Sequence, residues 1–207
     1  MTRLRSATLL AVGLGVAAAT LGLALLMGAK PEIHKPGAGP LTALGDAWTM
    51  GLDPTHRNKW TLGIYLCATD PASAPVLDAV TPSDTLGSFE FLGASIREFA
   101  PSNSHPPILS TDGYPPAVSD TLQPLPGHRV AAGCSQEAEF ADYNELLLGI
   151  GQRGPSGGGW RGERVAYHVG DRKYVLALEY VVMVCGPVVP DSYCKGVGVR
   201  PMASPSG

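Results

Sequence analysis

The chain has few of the residues from which catalytic and metal sites are built. Its five histidines, His34, His56, His105, His128 and His168, make no H-x-H, H-E-x-x-H or His/Met grouping, so the usual zinc and copper spacings are missing. No C-x-x-C pair or Cys/His spacing occurs, which removes the familiar thiol-redox and zinc arrangements. No two carboxylates stand at a separation that suggests glycoside hydrolysis. No nucleotide-binding motif is present. Beyond residue 29 no hydrophobic run reaches spanning length, because the next best, Val181 to Val189, is short and broken by Gly186 and Pro187. These absences leave no residue to assign as catalytic, cofactor-binding or metal-ligating.

What is present begins at the N-terminus. From Ala7 to Ala29 there are 23 residues without a charge. A helix rises about 1.5 Å per residue, so roughly 20 apolar residues cross a hydrocarbon core. Arg3 and Arg5 precede the run, and the positive-inside rule keeps such a short basic tail cytoplasmic, although Lys30 and Lys35 oppose it. The expectation is a single-pass protein of the cell membrane, N-terminus inside, with residues 1–29 as tail and signal anchor. A cleavable signal peptide is the competing reading, with Ala17, Ala18 and Ala19 as the small residues. Cleavage there would leave an apolar stub from Leu21 to Met27, which favours the uncleaved anchor. No cysteine follows closely enough to carry a lipid.

Everything after the anchor is then extracytoplasmic. The whole chain carries 15 Lys and Arg against 18 Asp and Glu, and three of the bases, Arg3, Arg5 and Lys30, lie in or beside the anchor. The remainder is mildly acidic, which argues against nucleic acid and anionic lipid surfaces as partners. All four cysteines, Cys67, Cys134, Cys185 and Cys194, fall in this exterior portion, and an even count in an oxidising compartment reads as two disulfides. Three pairings are possible. Cys185–Cys194 is favoured as a local staple and leaves Cys67–Cys134 as the long bridge, with Cys67–Cys185 as the alternative across a sandwich. Arg outnumbers Lys and Ala, Gly and Pro are abundant, a habit of GC-rich bacterial genomes.

The 19 prolines and 26 glycines, with few long helical patterns, point to an all-β domain. Residues 30–40 form a Pro/Gly linker, 41–200 the β-rich domain, and 201–207 a tail expected to be disordered. Strands are expected around Leu41 to Leu52 and, more clearly, at Trp60 to Cys67, where Trp60, Leu62, Ile64 and Leu66 alternate with Thr61, Gly63, Tyr65 and Cys67. Others follow at Val76–Val80, Phe89–Leu92, Ala94–Phe99, His128–Gly133, Glu145–Arg153, Val165–Val169, Tyr174–Val184 and near Tyr193–Val199. Residues 101–126 include seven prolines and read as a long surface loop without PxxP spacing or a basic cluster. Ser135 to Tyr143 could hold a helical turn capped by Ser135. The sum is an antiparallel β-sandwich of immunoglobulin- or fibronectin-like architecture. The core-Trp hallmark is not met, since Trp160 reads as part of a glycine-rich turn.

Three features are tested for chemistry. Gly154-Pro155-Ser156-Gly157-Gly158 matches G-x-S-x-G, but the nucleophile elbow needs a following helix, and here more glycine and a tryptophan follow. Ser156 reads as a hairpin-turn residue, with a hydrolase as the alternative. An extracytoplasmic metal carrier would need scattered His and Met to converge. Glu179 interrupts an otherwise apolar strand, and pairing with Arg164 or Arg172, or a partly wet face, is favoured over an unpaired buried carboxylate. The function expected on balance is non-catalytic: binding or assembly with a protein partner at a bacterial cell envelope.

Overall fold

Residues 59–68 set the pattern for the domain. Strict alternation sends Trp60, Leu62, Ile64 and Leu66 inward, where they are buried, and turns Thr61, Gly63, Tyr65 and Cys67 to the opposite face. The computed structural model describes residues 39–44, 47–98, 108–117, 122–134 and 143–195, and the backbone of 198–201. The anchor, the linker up to residue 38, the helical turn expected after Ser135 and the 202–207 tail lie outside the described residues. Among the described residues no helix is long and apolar enough to cross a membrane.

Twelve strands are described: β1 (Leu41–Leu44), β2 (Trp48–Leu52), β3 (Lys59–Ala68), β4 (Val76–Pro82), β5 (Thr85–Gly87), β6 (Phe89–Glu98), β7 (Ser110–Asp112), β8 (Leu122–Pro124), β9 (Asn144–Gln152), β10 (Gly158–Val169), β11 (Arg172–Val184) and β12 (Gly198–Pro201). They form two six-stranded sheets. The first runs β1-β3-β9-β6-β8, with β7 also on β3, and the second runs β12-β2-β11-β10-β4, with β5 on β10. All pairings are antiparallel except β2 with β11, which is parallel, so the second sheet is mixed. That exception arises because the expected first strand is two, β1 in the first sheet and β2 in the second.

One core joins the sheets. Leu62, Ile64, Leu146, Leu148 and Ile150 of the first pack with Trp160, Val165, Leu176, Leu178 and Val182 of the second. Phe89–Leu92 and Ala94–Phe99 merge into the single strand β6, which bends at an irregularity between Phe91 and Gly93. Trp160 corrects its assignment to a turn. It lies on β10, fully buried, with its ring 5.3 Å from Phe89 and edge-on to Phe91 at 6.0 Å. Its neighbours Gly158 and Gly159 suggested a turn because glycine is rare in strands, yet both are register-paired with β11 and β5. The stretch from His128 to Gly133 makes only isolated bridges, Arg129 to Val76 and Gly133 to Ala68. Near the C-terminus a four-residue helix, α1 (Asp191–Cys194), precedes β12, where one strand was expected.

Both favoured disulfides are formed. Cys67–Cys134 has its Cα atoms 5.1 Å apart and ties the end of β3 to the segment bridged to Ala68. Cys185–Cys194, at 5.8 Å, folds the end of β11 back onto α1. Neither passes through the core between the sheets. With that, and with six strands in each sheet, the likeness to immunoglobulin domains stays at the level of two packed sheets.

Candidate functional site

The outer face of the first sheet carries the most unusual chemistry in the domain. On β9, Leu146, Leu148 and Ile150 face the core, so Glu145, Leu147 and Gly149 must face outward. Outward residues of a two-sheet domain normally meet water. Here Glu145 and Leu147 are fully buried, as is Thr61 on β3.

The cover is the proline-rich segment. After β6 the chain reaches Ile108 above the sheet, forms β7 along the edge of β3, and turns through Gly113, Tyr114, Pro115 and Pro116. It then reaches the opposite edge, where β8 pairs with β6. Residues 108–117 therefore form a strap across the sheet, and residues 122–125 lie at its opposite edge. Ile108, Pro116 and Leu125 are buried, and two short strands fall within the span expected to be structureless. Glycines make the close approach possible. A Cβ on Gly149 would overlap the Tyr114 ring, and one on Gly63 would overlap the carbonyl of Ile108.

Beneath the strap lies an ion pair. Arg97 on β6 and Glu145 on β9 are register partners, with Nη2 to Oε2 at 2.7 Å and both side chains almost completely buried. Glu145 Oε1 accepts the Ile108 N–H at 2.6 Å, so the same carboxylate holds the strap. Tyr65 stands opposite Glu145 on β3, and its hydroxyl is pushed upward in pKa by burial and then by the Glu145 charge, with Arg97 acting the other way. The Tyr65 and Tyr143 rings lie 6.0 Å apart. Gly63 N–H donates to the Leu109 carbonyl at 3.3 Å and Thr61 Oγ1 to the Gly113 carbonyl at 2.5 Å. The strap is thus pinned at 108, 109 and 113. Leu109 projects outward from it, 55% exposed, and Arg57 pairs with Asp112 on its rim at 2.6 Å.

Other polar clusters are smaller. His168 Nδ1 lies 2.8 Å from Asp78 Oδ1 on the half-exposed outer face of the second sheet. Imidazole and carboxylate at this distance form the orienting half of a catalytic triad. The serine that would complete it is elsewhere. Ser156 sits in the β9–β10 turn, where its carbonyl accepts the Val188 N–H, and no helix follows it. His168 lies near the far end of β10, about 33 Å along the strand from its first residue at ~3.3 Å per residue. His128 is nearly buried at the end of the first sheet, 2.7 Å from Asn144 Oδ1. Among the described residues no group of three or more His, Cys, Asp or Glu is placed to hold a metal.

Glu179 is exposed on the outer face of β11, with no ion pair to Arg164 or Arg172 among the described residues. The apolar neighbours that made it look buried belong to a strand whose outer face is partly wet. Among the described residues the buried acids are Glu145 and Glu163. Each falls in or beside a run of alternating residues, but only the strap and the β10–β11 register shift put them out of water. No family model, no curated protein and no solved structure matches the chain.

Proposed function

We propose that this is a membrane-held, extracytoplasmic binding domain that presents its strap, residues 108–117, to a protein partner at a bacterial cell envelope. The observation that carries the reading is the buried Arg97–Glu145 pair whose carboxylate also accepts the Ile108 N–H. Burying two charges is costly, and replacing such a pair by apolar residues is often neutral or stabilising. Fold stability alone gives little reason to put one under a surface segment. Fixing that segment in one conformation does, because a preorganised loop loses less entropy when a partner binds. Two disulfides agree with an oxidising exterior. The uncharged run at residues 7–29 supports a signal anchor, N-terminus inside.

The test is chemical crosslinking in intact membranes followed by affinity purification of the tagged chain. The same partner should be recovered reproducibly with the native chain and lost with Leu109→Asp, which changes an exposed side chain and leaves the core intact. Recovery of no reproducible partner, or equal recovery with both chains, would contradict the proposal.

A further inference from the structure

The core itself contains an acid. Glu163 on β10 is 1% exposed, and its Oε1 accepts a hydrogen bond from the buried Trp160 indole N–H, while Oε2 has no partner. A bulge puts it there. The β10–β11 register shifts between Arg161 and Glu163, and Gly162 takes a φ of +109°, which a side chain rarely adopts. Gly162 on β10 stands against two residues of β11, Glu179 and Tyr180, and this mismatch lets both Trp160 and Glu163 point inward.

Among the described residues no counter-charge faces this carboxyl. From the opposite sheet, the inward residues of β6 (Phe89, Phe91, Ala94, Ile96) and β9 (Leu146, Leu148, Ile150), with those of β3, are all uncharged. Its register neighbours are Leu178 on β11 and Pro82 on β4. The nearby charged groups are Arg161 and Arg164 on β10, Glu179 on β11 and Asp84 in the β4–β5 corner. All are solvent-exposed, and Arg161 is 3.8 Å from Asp84. Arg161, Arg164 and Glu179, with Ser83, line an outward-facing depression of about 350 Å³ over the bulge. The corner is held to the bulge by Ser83 N–H on the Gly162 carbonyl at 2.8 Å and by Arg161 N–H shared between the carbonyls of Ser83 and Asp84, each at 3.2 Å.

We infer that Glu163 is a proton-dependent catch: neutral, it keeps Trp160 and the β4–β5 corner closed on the core, and ionised, it loosens this corner. The physical reason is the cost of an uncompensated charge between two apolar sheets, relieved only by moving it toward the water and the arginines over the bulge. Burial raises the Glu163 carboxyl from its ordinary 4.5 to about 8, the Trp160 hydrogen bond acting against it. Between those values the folded chain holds a proton that the unfolded chain has released. The stability that Glu163 contributes is therefore greatest below pH 4.5 and declines by about tenfold in the folding constant per pH unit until the folded group itself ionises near pH 8.

Hydrogen–deuterium exchange on the full chain in detergent, corrected for intrinsic exchange, tests the catch between pH 6 and pH 9. Uptake in residues 83–88 and 157–164 should rise about tenfold or more across neutral pH in the native chain and stay flat in Glu163→Gln, with Trp160 emission titrating in the native chain alone. The same rise in both chains, or none in the native chain, would overturn the inference. If Glu163→Gln does not fold, infrared spectroscopy of the native chain decides. A protonated carboxyl band that persists at pH 7 and disappears by pH 9 supports the catch, and its absence at pH 7 refutes it.

Discussion

Three glutamates show how far a residue's neighbours in sequence differ from its neighbours in space. Glu179 sits among apolar residues in the chain and is exposed, whereas Glu145 and Glu163 are buried by things that lie elsewhere. Glu145 is covered by a strap anchored about 37 residues earlier, and Glu163 is turned inward where β11 has one residue more than β10. Removing one member of a buried pair leaves the other charge uncompensated, at about 3–5 kcal/mol. Arg97→Met alone should therefore destabilise the domain by about that amount in denaturant unfolding. Arg97→Met combined with Glu145→Leu should recover most of the loss while leaving the Ile108 N–H without its acceptor. Strap mobility, read by exchange at residues 108–113, should remain raised in the double variant even where global stability returns.

At the scale of elements, the strands with strict alternation were legible: β3, β9 and β11 fall within a residue or two of where period-two patterning puts them. Both disulfides were legible too, because a nine-residue separation with intervening prolines suits a local staple. What was not legible depends on contacts between distant segments. Trp160 is on a strand because Gly158 and Gly159 pair on both sides, and β1 and β2 split because the chain crosses between sheets. The candidate site was legible only in part. Seven prolines marked 101–126 as special, but its path over glycines on β3 and β9 follows from the fold. Gly149→Ala tests that path. The added methyl meets the Tyr114 ring, so the strap must shift, costing about 1–3 kcal/mol by overpacking. The same change with Tyr114→Ala should restore much of the stability, and equal losses in the single and double variants would argue that the strap does not lie on this glycine.

For the whole molecule, a disulfide-tied domain of two sheets sharing one core carries a surface segment held in place by charge. Much of that surface is polar. Only Leu109 and Val188 stand out as exposed large hydrophobics among the described residues, too few for a greasy patch. The partner proposed for the strap would accordingly be gripped through shape and backbone as much as through apolar area, as in other polar interfaces. The direct measurement is a photo-crosslinking residue placed in turn at position 109 on the strap and at position 177, exposed on the outer face of β11, with the chain in its own membrane. A discrete adduct of fixed mass from position 109 and none from position 177 is the expected result. Identical adducts from both positions, or none from position 109, would contradict the account.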